Sequence, residues 1–413
     1  MPFEREGCPL PGLKVGLRIR MTLRIGSVMR TKIGGLKVAG SVLLAAVLPA
    51  GMAHGQERAP RSGWDDARPV QTKPVTLKIA PDLQALYDRS ASAVAVKDFN
   101  SIVEGCRTLA GDTTRPTEER EYARTLLSWA ANRRGELRSD MAGQMVRDKQ
   151  MDEAEKLDRA AAMDFALAIE FDPRRWRAHH NLGISQAMSG DLEQAIQSFT
   201  TTMEVNPKFV EAWHNRGELL ARNDDFAGAI ADFSKALELA PEDALLFGAR
   251  GRAKSSSGDL EGALSDFRSA MDFDPESGEA ATEYADACQS LGRWKDAAEA
   301  YQKAMQQAPA NPRTLQNAAW LMATCPEEFY RNPETALKTA ERAIEVKDAP
   351  PGAHLLHVLG VAQAANGDFA SAVSTLNEAL QTTSNPSLRA EIAQHRALFQ
   401  RQRVYVQPAV EAK

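Results

Sequence analysis

Small and aromatic residues recur along this chain with a period of 34. Phe165, Phe199, Phe233, Phe267 and Tyr301 keep that spacing, and Ala161, Ala195, Ala229, Ala263 and Ala297 each stand four residues earlier. Positions i and i+4 share one helix face, so every such pair marks the apolar stripe of a helix. Pro173, Pro207, Pro241, Pro275 and Pro309 repeat in step, and a proline ends a helix at or before the residue ahead of it. Upstream, Gly183, Gly217 and Gly251 lie in a second periodic stretch, set off by Gly190-Asp191, Asp224-Asp225 and Gly258-Asp259. Each unit therefore reads as helix, tight turn, helix, stop.

Flanking segments follow the pattern less closely. Residues 81–141 form an N-terminal helical region, a degenerate repeat: two runs carry Leu83, Leu86 and Tyr87, then Phe99, Ile102, Val103 and Cys106, and Glu118 to Met141 reads as one amphipathic helix. The unit at 142–175 keeps the phase without its glycine marks, which predicts an over-long or irregular pair. Regular units follow at 176–209, 210–243, 244–277 and 278–311. The unit at 312–350 has gained five residues in its turn, Cys325 to Pro333, and 353–386 recovers the pattern with Leu359-Gly360 and Gly367-Asp368. A last helix at 387–403, with Leu388, Ile392 and Leu398 inward, would cap the array, as the exposed end of a repeat stack requires. The tail at 404–413 reads as loose.

The unit Trp176 to Phe209, with Leu182-Gly183, Gly190-Asp191, Ala195, Phe199 and Pro207, resembles the tetratricopeptide repeat family. The next unit matches through Trp213, Gly217, Ala229, Phe233, Ala236 and Pro241, while Thr202, Ala281 and Ala285 depart mildly from the family pattern. The resemblance implies an all-α fold, an α-solenoid or right-handed superhelix of stacked helix-turn-helix units whose first helices line a concave groove. In family phase the groove-facing residues include Arg177, His180, Ile184, Glu211, His214, Glu218, Arg222, Arg252, Asp286 and Trp320. The resemblance further implies a non-catalytic scaffold or adaptor that grips a peptide segment or helix of a protein partner. The family's chaperone-terminus clamp is not expected, because His180, Ile184, Leu245 and Ala249 stand where its Lys, Asn and Arg belong; only Asn215 fits. Exchanging Glu218, Arg222 and Arg252 for alanine is expected to change groove charge without touching the Ala and Phe packing positions. Trp320, Phe329 and Tyr330 are candidate partner anchors, with packing against the adjacent repeat as the alternative.

Hydropathy at the start changes the picture of where the chain works. Residues 1–28 have no period and read as a dispensable or non-native extension before a start at Met29. In 29–55, Arg30, Lys32 and Lys37 precede an apolar run from Val38 to Pro49 and a small-residue site at Ala53-His54-Gly55, the layout of a secretory signal peptide. Twelve apolar residues fall short of the ~20 that span a bilayer, so no stable membrane insertion is expected after cleavage. Residues 56–80, with three prolines, read as a flexible linker. The mature protein is thus expected to be exported and periplasmic or associated with the cell envelope.

The whole chain carries 50 basic and 55 acidic residues, and a chain starting at Gln56 would carry 42 and 53, a net charge of −11. That balance argues against a nucleic-acid partner, which meets a basic face. Cys106, Cys288 and Cys325 lack metal-like spacing and read as buried thiols. No nucleophile elbow, phosphate-cradling glycine loop, zinc-protease helix or haem-attachment motif occurs, so no enzyme activity and no cofactor are expected. His180 with His214, and His354 with His357, could each give two metal ligands, but nothing in the sequence completes either set. Two alternatives stay open: an enzyme or metal-handling protein using a charged or histidine constellation in the groove, and a self-associating envelope component.

Overall fold

The computed structural model describes residues 80–347 and 350–409. The expected signal segment 29–55, the expected extension before it, nearly all of the expected linker and the last four residues lie outside them. Among the described residues the chain forms seventeen α-helices, one short 3-10 turn and no strand.

In chain order the helices are α1 (Pro81–Ser92), α2 (Val96–Gly111), α3 (Thr117–Arg147), α4 (Met151–Phe171), α5 (Trp176–Ser189), α6 (Leu192–Val205), α7 (Val210–Arg222), α8 (Phe226–Leu239) and α9 (Ala244–Ser257). They continue as α10 (Leu260–Phe273), α11 (Gly278–Ser290), α12 (Trp294–Gln307), α13 (Pro312–Thr324), α14 (Pro333–Glu345), α15 (Ala353–Ala365), α16 (Phe369–Thr382) and α17 (Pro386–Phe399). Each helix packs on its hairpin partner and on the pair that follows, which makes the chain an α-solenoid of stacked pairs.

The periodic residues are the ones that hold each pair together. Phe165, Phe199, Phe233, Phe267 and Tyr301 are buried, as are the alanines four residues before them. Each Phe ring lies against a glycine on the facing helix: a Cβ on Gly217 would stand 2.8 Å from the Phe233 ring, and one on Gly251 would stand 2.6 Å from Phe267. The short loops turn on residues with positive φ, +91° at both Gly190 and Gly258, a region that glycine enters without a steric penalty. Asp225, Asp259 and Asp368 then cap the second helices by accepting from the N–H three residues on.

This close approach predicts opposite effects for two glycine-to-alanine changes. Gly217→Ala forces the Phe233 ring or the helix pair apart and should cost about 1–3 kcal/mol. In Gly143→Ala the nearest atom outside the helix backbone is the flexible Arg147 Nη1 at 3.7 Å, so helix propensity should stabilise by about 0.5–1 kcal/mol. Urea denaturation of both variants checks the two signs; equal effects would mean the ring contact does not set the requirement for glycine.

Three boundaries differ from the sequence reading. The helix expected over Glu118 to Met141 continues to Arg147, so the division at 141/142 falls inside it. Its pairing glycine is Gly135, where a Cβ would stand 2.5 Å from Phe165. Arg147 lies 12 residues past Gly135, whereas Ser189 lies 6 past Gly183, and α4 is lengthened similarly, so this pair runs about two turns beyond a regular unit. The final helix spans Pro386–Phe399 and stops short of Arg403. Up to residue 409 the tail is packed rather than loose: Gln407 N–H donates to the Thr324 carbonyl at 2.8 Å, and the Tyr405 ring rests on Trp320 and His395. The stack's open apolar end explains this cover.

The inserted turn holds the 3-10 segment Glu328–Tyr330 and is tied down by Asn332 N–H to the Met322 carbonyl at 2.8 Å. Cys106, Cys288 and Cys325 are buried and unbridged. Burial pushes the Cys106 thiol up to about 12 and the Cys288 thiol up to about 11, which keeps both in the unreactive protonated form.

Candidate partner-binding groove

Consecutive first helices approach one another directly: α3 meets α5, α7 meets α9, α9 meets α11, α11 meets α13 and α13 meets α15. Contacts of that extent do not join consecutive second helices, so the stack curves toward its first helices. Their outer face is the inner wall of the bend.

A ladder of polar contacts runs along this wall from one first helix to the next. Asn181 on α5 lies 3.4 Å from Asn132 and from Glu136 on α3. Asn215 Nδ2 on α7 lies 3.1 Å from His180 Nε2 on α5. Arg252 on α9 donates back to Glu218 on α7 at 3.4 Å and forward to Glu283 on α11 at 3.0 Å. Asp286 on α11 accepts from Arg313 at 2.7 Å and Asn317 at 2.8 Å on α13, and from the Tyr301 hydroxyl at 2.6 Å. At the end of the row Trp320 packs its ring against His357 and His395.

The structure thus draws Glu218, His214, Arg252 and Asp286 into this ladder, with His214 Nε2 3.7 Å from Glu218. His180 is buried between Phe199 and Phe209; burial pushes its imidazole down to about 4, so it is neutral at physiological pH. Ile184 is half-buried beside Met188, Glu211 is exposed, and Arg177 lies over the Trp176 ring. Arg222 is half-buried at the C-terminal turn of α7. Trp320 is half-buried under Tyr405, whereas Phe329 in the inserted turn is 89% exposed. His180 and His214 make no pair with each other, and His354 is exposed while His357 turns inward to His395.

Burial pushes the Glu218 carboxyl up, but the hydrogen bond to His214 and the charge of Arg252 outweigh it and hold the group at about 2. At Glu283 burial dominates, and Arg252 offsets it only in part, so that carboxyl is raised. One arginine between two buried acids is therefore a structural requirement as well as a groove charge. Exchanging Glu218 and Arg252 for alanine leaves the Ala and Phe packing positions untouched but breaks an ion pair in which the carboxylate is buried and the arginine is partly exposed.

Two features escaped the sequence reading, although the first carries the repeat period throughout and the second does so in two of its three pairs. The backward-reaching residues Asn181, Asn215, Glu283 and Asn317 occupy one column of the repeat. The second is a clamp inside three pairs: Arg134 with Asp164, Arg216 with Asp232 and Arg250 with Asp266, each guanidinium spanning both carboxylate oxygens. Each clamp is written as Arg-Gly on the first helix and Asp-Phe on the second.

The whole of this geometry can be set beside known proteins. A family model described as tetratricopeptide repeat matches residues 181–244 and 331–387, and a second of the same description matches 255–321. No curated protein matches the chain. Among solved structures it is similar to a tetratricopeptide repeat protein from Parabacteroides merdae, at 19% identity over 64% of this chain and 98% of that one, with a TM-score of 0.47. It is also similar to residues 41 to the end of MamA from Desulfovibrio magneticus, at 19% identity over 43% of this chain and 96% of that one, TM-score 0.37. YrrB, described as having an unusual peptide-binding site, shares 21% identity over 48% of this chain and 97% of its own, TM-score 0.39.

Proposed function

We propose, from the premise that this chain belongs to the tetratricopeptide repeat family, that it is an exported adaptor holding a peptide segment or helix of another protein along the wall of its first helices. One observation carries the reading: side chains of alternating charge are fixed in place along a continuous curved wall. Groups already held in position lose little freedom when a partner arrives, so more of the contact energy is realised as affinity. The wall also presents carboxylates and arginines in alternation, which favours a partner segment of mixed charge over a uniformly basic or acidic one. Among the described residues no helix is long and apolar enough to cross a membrane. Export rests on the basic, apolar and small-residue order of 29–55.

The groups that can be changed without breaking the ladder are Glu211 and Arg222. A Glu211→Lys, Arg222→Glu variant, compared with the parent chain and with a Lys235→Glu variant on the exposed side of α8, tests the proposal by capture from an envelope fraction. A discrete protein partner kept by the parent and Lys235→Glu and lost by the groove variant is the expected result, with the native protein in that fraction beginning at Gln56. Equal capture by all three places binding elsewhere. Recovery of only further copies of the chain supports self-association.

A further inference from the structure

We propose that His357, His395 and Glu391 form a binding site for a divalent transition metal of the zinc type, at the end of the solenoid where α15 meets α17. The imidazoles come from two helices, and His357 Nε2 lies 2.7 Å from His395 Nδ1 with both rings buried. Glu391 stands one turn before His395 on α17, so the two side chains share a helix face. Donor atoms from all three residues lie within 4.8 Å of one another. Two imidazole nitrogens and one carboxylate oxygen suit zinc, nickel or copper and not magnesium or calcium, which take oxygen sets.

Binding replaces the hydrogen bond between the two rings, and each ring turns by about 35° so that both nitrogens face a tetrahedral ion. Two nitrogens on a tetrahedral zinc, each at about 2.05 Å, stand roughly 3.3 Å apart, so the histidine pair opens by about 0.6 Å from its 2.7 Å spacing. Glu391 is exposed, which gives the ion its route from solvent and leaves room for a water as fourth ligand. Trp320 and Tyr405 wall the other side, their rings 5.4 Å and 4.0 Å from His357 and His395 respectively. A bound ion would fasten the capping helix to the last full repeat at the end of the stack most open to fraying.

Titration calorimetry with zinc chloride, on the untagged full chain freed of metal by chelator, tests the site. One equivalent should bind saturably and raise the melting temperature, and cobalt in its place should give a visible ligand-field absorption. Glu391→Gln changes an exposed side chain and leaves the histidine pair intact. It should weaken zinc binding at least about tenfold, the loss that follows removal of even an outer-shell partner. His357→Gln with His395→Gln should abolish it, with circular dichroism confirming that the helices remain. No saturable binding by the parent chain overturns the proposal, as does binding that survives undiminished in Glu391→Gln or in the double variant.

Discussion

Replacing Arg216 by leucine is expected to destabilise the array by about 3–5 kcal/mol, the cost of leaving a buried carboxylate without its cation. Asp232 is 3% exposed, and Arg216 is its clamp, donating from Nε and Nη2 at 2.7 Å each. Asp164 and Asp266 have second cations in Arg138 and Lys254; among the described residues Asp232 has Arg216 alone as an ion-pair partner. Asp232→Ser should cost less, about 1–2 kcal/mol, because Arg216 can turn its head group to water.

The preceding unit supplies the rescue. There Leu182 stands in place of the arginine and Ser198 in place of the aspartate, and the Gly183 to Phe199 contact is kept. Arg216→Leu combined with Asp232→Ser should therefore fall within about 1 kcal/mol of the parent, the remainder including the arginine's position over the Trp213 ring. Urea denaturation gives the cycle, and amide exchange in α7 and α8 localises it, because a repeat array responds mainly in the altered unit and its neighbours. Costs that simply add in the double variant would show that the two residues are not coupled.

That clamp shows what a single sequence reveals and what it hides. The repeat itself was legible because Phe, Ala and Gly recur in fixed phase, and a contact between fixed positions is rewritten every 34 residues. The long α3–α4 pair was only half legible. Its turn marks are absent, and Gly135 meets Phe165 across 30 residues where Gly183 meets Phe199 across 16. The groove positions could be placed on one helix face, but periodicity says which face a side chain takes, not which neighbour it holds. Glu218 and Arg252 are 34 apart and share a groove column in family phase, but their pairing depends on the direct contact of successive first helices. The tail had no period to read, because one tyrosine in a short segment carries none, and its place depends on the open end of the stack.

Arg252→Ala is expected to cost about 2–4 kcal/mol at neutral pH and progressively less as the medium is acidified. Removing the guanidinium takes the cation from two buried acids, Glu283 and Glu218, the second of which keeps His214 beside it. The loss stays below the full value for a buried pair because the Arg252 side chain is 44% exposed and water can enter where it stood. In the parent chain Glu218 is held at about 2, below an ordinary glutamate, so its contribution is present above about pH 4.5 and is lost as pH falls toward 2. Glu283 is raised, so its contribution has the opposite slope and declines as pH rises past its ordinary value. Without Arg252 burial raises Glu283 further, while Glu218 keeps its His214 hydrogen bond and loses only the part of its lowering that Arg252 supplies, so the variant should lose more stability than the parent on going from about pH 5 to pH 7. Urea midpoints for parent, Arg252→Ala and Arg252→Met at about pH 3, 5 and 7 separate charge from packing, since methionine keeps the stem and removes the cation. A difference from the parent that does not change with pH would assign Arg252 a packing role alone, and would free it for use as a probe of partner binding.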